Sequence, residues 1–177
     1  MNELEAFSEV DTLIFDVDGV LTDGTLLVTE AGELLRQMHV RDGYALKHAH
    51  RAGYRVAIIT GGKSEGVAKR LKNLGLTDIY YGVQDKIAVY EEYLRINGID
   101  AMGEGRILYM GDDMPDLNVM RRVGLPCCPH DAAPEIVGLS KYVSSKLGGQ
   151  GCARDGMENL GRMLTPTSPA PSSLFRS

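Results

Sequence analysis

The stretch Leu13-Ile14-Phe15-Asp16-Val17-Asp18-Gly19-Val20-Leu21-Thr22 constrains this chain more than any other. An apolar run of strand type ends in two carboxylates one residue apart, and a glycine follows at once. Side chains alternate between the faces of a strand, but at its C-terminal tip the chain is already turning. Asp16 and Asp18 can then converge on the crevice where an open α/β sheet binds its ligand. Two carboxylates that close repel each other unless a cation or a shared proton compensates. Two readings follow. Either a hard, oxygen-seeking ion such as Mg2+ belongs there, or the aspartates merely end a strand and cap what comes next. A D-x-D pair alone does not choose between them.

The 177 residues, 44% hydrophobic and 24% charged, suit one soluble domain with a sizeable core. A net charge of −5 argues against non-specific nucleic-acid binding, which favours a basic face. No apolar run is long enough to span a bilayer, and the opening MNELEAFSEVD is acidic, without the basic start and apolar core of a signal peptide. The expectation is a cytoplasmic protein. Cys127, Cys128 and Cys152 lack zinc-site spacing and are read as buried thiols. The four histidines are scattered and are read as structural or surface residues.

Along the chain, strand-like runs alternate with helical ones. After the first strand, Thr25–Val28 and Leu34–Val40 flank a glycine-containing turn and read as a β-hairpin over about residues 24–40. Both of its faces carry apolar side chains, so another surface should cover it. A helix is expected from Tyr44 to Ala52 with Asp42 as its N-cap, then a strand over Tyr54–Thr60 and a helix from Ser64 to Leu74. A short strand at Ile79–Tyr81 and a helix from Lys86 to Asn97 follow, then a strand over Arg106–Gly111 and a helix ending at Val123. Further on come a strand near Leu125–Cys128, a brief helix near Ala132–Gly138, strand-like Tyr142–Ser144, and a last helix from Ala153 to Met163. This alternation predicts an α/β fold: a Rossmann-like, doubly wound parallel sheet with helices on both faces, plus the hairpin. The domain would span residues 1–163, and the Pro- and Ser-rich residues 164–177 would be disordered.

The remaining polar signals fall at strand ends or helix starts. Thr60, with Gly61 after it, offers a hydroxyl and backbone N–H groups to an anion. Lys86 opens a helix, where a cation is disfavoured by the dipole unless it faces anions. Gly111-Asp112-Asp113-x-x-Asp116 places three carboxylates at one strand end, and capping accounts for one of them but hardly for all. Two carboxylates, a hydroxyl, a lysine and an acidic triplet on one sheet edge match Mg2+-assisted phosphoryl transfer.

In these motifs the chain resembles the haloacid dehalogenase superfamily. Asp16-Val17-Asp18-Gly19-Val20-Leu21-Thr22 matches its first motif, Thr60 its second, Lys86 its third and Gly111-Asp112-Asp113-x-x-Asp116 its fourth, in the family's order. The resemblance implies that Asp16 attacks phosphorus and that Asp18 is the general acid and then the base. It implies that the side chains of Asp16 and Asp112, with the Asp18 backbone carbonyl, hold Mg2+. Thr60, Gly61 and Lys86 would bind the phosphoryl group, with Asp113 and Asp116 supporting the metal shell and Lys86.

Only 42 positions separate Asp18 from Thr60 and 52 separate Thr60 from Asp112, too few for a cap domain. Closure of the open site would then fall to a macromolecular substrate or to a neighbouring subunit, and the two-faced apolar hairpin favours the neighbour. DVDGVLTDG, Arg41–Leu46 and Gly148–Gly156 are similar to the capless, tetrameric sugar-acid phosphatases. That likeness implies a homotetramer, a hairpin that caps an adjacent active site, and a glycine-rich segment with Arg154 that folds over a carboxylate-bearing substrate. The implied substrate is 3-deoxy-D-manno-octulosonate 8-phosphate, a lipopolysaccharide precursor, with the nine-carbon 2-keto-3-deoxynononate 9-phosphate as the alternative. The chain departs from the family where Gly62 and then Lys63 follow Thr-Gly instead of a bulky polar residue, with Lys63 a candidate replacement, and where Asp155 replaces a glutamate. A phosphomutase, or a non-catalytic oligomeric binding protein, would be the competing classes. The missing cap argues against the first, the intact motif set against the second.

Overall fold

Leu13 and Phe15 face one side of the sheet and Ile14 the other, and all three are fully buried, which requires cover on both faces. A computed structural model of the chain, describing residues 3–160, supplies that cover. The strands are β1 (Thr12–Phe15), β2 (Leu27–Val28), β3 (Leu34–Leu35), β4 (Arg55–Thr60), β5 (Asp78–Tyr81), β6 (Ile107–Met110), β7 (Leu125–Cys128) and β8 (Tyr142–Val143). The helices are α1 (Glu3–Ser8), α2 (Val40–Arg51), α3 (Glu65–Asn73), α4 (Lys86–Asn97), α5 (Ala101–Glu104), α6 (Leu117–Met120), α7 (Pro134–Leu139) and α8 (Cys152–Glu158). Six strands form one sheet in the order β5-β4-β1-β6-β7-β8, every pairing parallel, with β2 and β3 as a separate antiparallel hairpin. The order reverses at β1, between β4 and β6, which is where a doubly wound sheet opens its ligand crevice.

One face packs Leu13, Phe15, Val56, Ile58, Leu108 and Met110 against Phe7, Leu46, Leu71 and Met157 of α1, α2, α3 and α8. The other packs Ile14, Ala57, Ile59 and Tyr109 against Tyr90, Tyr93, Val119 and Ile136 of α4, α6 and α7. The expected α/β architecture without a cap domain is therefore the one observed. The 164–177 tail and the end of the last expected helix lie outside the described residues.

Three local expectations change. Asp42 does not cap α2: the helix starts at Val40, so Asp42 is buried in its first turn and its Oδ1 accepts from Arg154 N of α8 at 2.8 Å. The N-cap of α8 is Gly151, which has no side chain to offer, and Asp42 supplies the acceptor. The helix after Asp116 ends at Met120, short of Val123, after a 3-10 turn over Met114–Asp116. Helices α1 and α5, of six and four residues, are too short to show a periodic pattern in sequence.

The hairpin keeps its place but not its length, since each of its strands pairs over only two residues. Among the described residues its apolar side chains stay largely open: Leu27 is 68% and Val28 61% exposed.

Candidate active site

Immediately after β1 the backbone folds back on itself, with the Val17 carbonyl accepting from the N–H groups of Val20, Leu21 and Thr22. The buried Thr22 hydroxyl accepts from Gly19 N at 3.3 Å and Gly24 N at 3.2 Å, so the last residue of the first motif ties the loop together. Gly19 has φ +86, and a Cβ there would lie 1.9 Å from Asp112 Oδ2. Only glycine brings the β1 loop this close to the carboxylate at the end of β6.

The strand ends open onto a cavity of about 550 Å3. Eight of the ten residues expected at the site line it: Asp16, Asp18, Thr60, Gly61, Lys86, Asp112, Asp113 and Asp116. At its floor Lys86 Nζ donates to Asp16 Oδ2 at 2.6 Å and to Asp116 Oδ1 at 2.7 Å. The lysine is buried and bridges two buried carboxylates, which explains a cation at the first position of α4. Asp16 Oδ1 also accepts from Val17 N at 2.6 Å, so both of its oxygens are held. Thr60, itself buried, turns its hydroxyl back to accept from Gly62 N at 3.3 Å.

The acidic triplet divides its labour. Asp113 is exposed, and its Oδ1 caps the 3-10 turn by accepting from Met114 N at 2.8 Å. Asp116 Oδ1 takes Lys86 and, at 2.6 Å, the Tyr109 hydroxyl, while Oδ2 accepts from Asp112 N and Asp113 N. With four donors on its two oxygens, Asp116 is a brace for the site. Asp112 is the member left facing Asp16 across the cavity.

Carboxylate oxygens of Asp16, Asp112 and Asp116 can all lie within 4.8 Å of one another, with one ammonium among them. Burial, and then the charge of Asp116, raise the Asp16 carboxyl to about 6 despite Lys86. Burial, and then the charges of Asp16 and Asp116, raise Asp112 to about 7. Burial pulls Lys86 down, but Asp16 and Asp116 outweigh it and leave the ammonium more firmly protonated than usual. Excess negative charge among hard oxygen donors is what a magnesium ion would neutralise, so the residues fit the group.

Two expected residues lie elsewhere. Lys63 is exposed, and its side chain runs along Gly82, outside the cavity. Arg154 donates from Nε to Glu158 Oε1 at 2.6 Å and lines a separate cavity of about 460 Å3 with His39 and Arg41. The glycine-rich segment before it docks on the β1 loop, with Gly149 N donating to Val20 O at 2.9 Å. Within one chain, then, neither Lys63 nor Arg154 reaches the cavity.

Two further residues at the site escaped the sequence reading. Tyr109 looks like core strand, and only the 2.6 Å contact of its hydroxyl with Asp116 gives it a second role. Arg36, next after β3, forks onto Asp18 at 2.6 and 3.0 Å. Its sole trace in sequence is an arginine directly after the apolar Leu34-Leu35 pair.

No family model matches the chain. It is 38% identical over 143 residues to 3-deoxy-D-manno-octulosonate 8-phosphate phosphatase KdsC of Escherichia coli, a match covering 81% of this chain and 74% of that protein. A Legionella pneumophila structure described as a HAD superfamily (subfamily III A) hydrolase superimposes with a TM-score of 0.86 at 35% identity, covering 92% of this chain and 88% of that one. The 3-deoxy-D-manno-octulosonate 8-phosphate phosphatase of Moraxella catarrhalis, solved with a magnesium ion, a phosphate ion and a KDO molecule, superimposes at 0.84 with 29% identity and covers 91% of each chain. With sequence, fold and motif order in agreement, this chain belongs to the 3-deoxy-D-manno-octulosonate 8-phosphate phosphatase family of the haloacid dehalogenase superfamily.

Proposed function

We propose that the protein is a Mg2+-dependent phosphatase that cleaves 3-deoxy-D-manno-octulosonate 8-phosphate to the free sugar acid and phosphate through an aspartyl-phosphate. The observation that carries the reading is the Lys86 bridge between Asp16 and Asp116 at the floor of a cavity that Asp112 also lines. The activity for which the Escherichia coli relative is named supports the eight-carbon substrate over the nine-carbon one. The magnesium ion in the Moraxella catarrhalis structure supports the metal.

Asp16 is the nucleophile. Its plane is fixed by Val17 N and Lys86, and with its carboxyl raised to about 6 it is ionised at neutral pH. One of its oxygens bonds to phosphorus as the bond from phosphorus to the sugar oxygen breaks. The departing oxygen takes a proton from Asp18, which lines the same cavity. Asp18 then removes a proton from water, the water oxygen bonds to phosphorus, and Asp16 is released. Thr60, Gly61 and Lys86 hold the phosphoryl oxygens through a hydroxyl, a backbone N–H and an ammonium. The side chains of Asp16 and Asp112 and the Asp18 carbonyl would hold Mg2+, which supplies charge neutralisation for the phosphoryl group.

The exposed apolar hairpin supports assembly as a homotetramer in which a neighbouring subunit closes the cavity. Cys127, Cys128 and Cys152 are buried outside any disulfide, which suits the reducing cytoplasm where lipopolysaccharide precursors are made. The test is phosphate release from a panel of sugar-acid phosphates with Mg2+ present, beside Asp16→Asn. Turnover of the eight-carbon ester that is lost in the variant is expected, and no release from any ester would end the reading.

A further inference from the structure

Arg36 reaches back from the end of the hairpin to Asp18, eighteen positions earlier. Its Nε donates to Oδ1 at 2.6 Å and one terminal nitrogen to Oδ2 at 3.0 Å, while the other donates to the Leu34 carbonyl at 3.2 Å. The guanidinium is thus anchored on the hairpin backbone at one end and on a cavity carboxylate at the other. The arginine side chain is 4% exposed and that of Asp18 is 34% exposed, so the fork is sheltered while the carboxylate still meets the cavity. A two-point fork fixes the plane of a carboxylate as well as its place, which a single contact does not.

Gly62 completes the arrangement. A Cβ at this position would lie 2.7 Å from Asp18 Oδ2 and 2.9 Å from the Arg36 guanidinium nitrogen. Its backbone is outside the left-handed region, so space and not conformation calls for glycine here. The room a side chain would take beside Thr60 and Gly61 is occupied by the fork.

We propose that Arg36 is a positioning residue that aims the Asp18 carboxyl, and that Gly62 is the gap that admits the pair. The proposal rests on the phosphatase reading above. In the first half-reaction the electron pair of the breaking P–O bond stays on the sugar oxygen, which receives the Asp18 proton. In the second, a proton passes from the attacking water to Asp18. Each transfer needs an Asp18 oxygen at a set distance from a phosphorus ligand. When Asp18 carries its proton, its other oxygen still accepts from the fork.

The test is first-turnover release of the leaving group from two esters, the sugar-acid phosphate and p-nitrophenyl phosphate. The sugar alkoxide needs a proton to depart, whereas nitrophenolate does not. Arg36→Gln is expected to slow the sugar ester about 10- to 100-fold and the nitrophenyl ester by less than ~3-fold. Arg36→Lys, with one point of contact, should recover part of the loss. Gly62→Ala should shift the ratio of the two esters in the same direction. The double variant Arg36→Gln/Gly62→Ala should lose less than the product of the two single losses, because both changes act on the same Asp18 carboxylate.

Equal slowing of both esters, no slowing of either, or additive losses in the double variant would overturn the proposal. Should Arg36→Gln fail to fold by circular dichroism, the ester ratio of Gly62→Ala decides in its place. A wild-type chain silent on both esters, like Asp16→Asn, removes the phosphatase reading itself and this proposal with it.

Discussion

Lys86 and Asp16 stand seventy positions apart in the chain and 2.6 Å apart in the fold, the lysine carried on the first turn of α4 and the aspartate just past the tip of β1. Such a pair forms only when the sheet order places β1 centrally and α4 across its face, so it joins architecture to chemistry in one contact. Its second arm, to Asp116 at 2.7 Å, spans the gap to the 3-10 turn that follows β6.

Replacing that ammonium tests how far charge alone holds the site. In Lys86→Met, Asp16 and Asp116 lose their shared partner while remaining buried. At pH 8 urea denaturation should show a loss of about 3–5 kcal/mol. At pH 5 the loss should shrink, because Asp16, raised to about 6, is then protonated and needs no counter-charge. An equal loss at both pH values would mean that packing of the lysine stem, and not its charge, is what the fold requires.

Metal-free stability should depend on pH in an uncommon direction. Asp16 and Asp112 are raised to about 6 and about 7 from 3.8, so the folded chain keeps protons that the unfolded chain gives up. Their stabilising contribution is complete below the unfolded value and is lost as pH rises through 6 and 7. After allowance for the partial exposure of Asp112, the metal-free melting temperature at pH 8 should lie roughly 4–8 °C below that at pH 5. Mg2+ binds the ionised form, so the rise it produces should be largest at pH 8 and small at pH 5. Asp112→Asn should flatten both trends. An Mg2+ effect equal at the two pH values would place the ion elsewhere.

The proposed catalytic set could be read from the sequence because each member sits at a strand tip or helix start, where local pattern is strongest. Asp16, Thr60 and Asp112 each follow or end a buried apolar run, and Lys86 begins a helix that runs to Asn97 as expected. Arg36 and Tyr109 left no such mark. The Arg36 fork depends on how a hairpin folds over a loop eighteen residues away, and the Tyr109 hydroxyl is one polar atom in a strand otherwise buried for packing. Asp42 failed as a cap for a related reason: its partner, Arg154 N, lies 112 positions downstream.

The Tyr109 hydroxyl can be removed alone. Tyr109→Phe keeps the ring in the core and deletes the donor to Asp116 Oδ1, leaving Lys86 as that oxygen's partner. A buried carboxylate that loses one of its donors should cost about 1–3 kcal/mol in chemical denaturation. Turnover should fall less than in Lys86→Met, because the backbone N–H groups of Asp112 and Asp113 still hold Oδ2. If stability is unchanged, Tyr109 contributes packing only.

The hairpin offers the test of assembly. Leu27 and Leu35 are 68% and 47% exposed and lie directly opposite each other in the two-residue ladder, so their side chains share one face. Burying such side chains against another subunit contributes about 1 kcal/mol or more each, multiplied by every copy in a symmetric assembly. Leu27→Lys with Leu35→Lys should therefore sediment as a monomer where the unmodified chain sediments as a multimer. Its circular dichroism should be unchanged, since neither side chain belongs to the two packed cores. If a neighbour closes the cavity, kcat/KM for the sugar-acid ester should drop with assembly, up to ~100-fold as substrate positioning is lost. p-Nitrophenyl phosphate, which asks only for the phosphoryl site, should lose less. A double variant that stays multimeric would exclude the hairpin as the interface, and a monomer with full activity would show that one chain closes its own site.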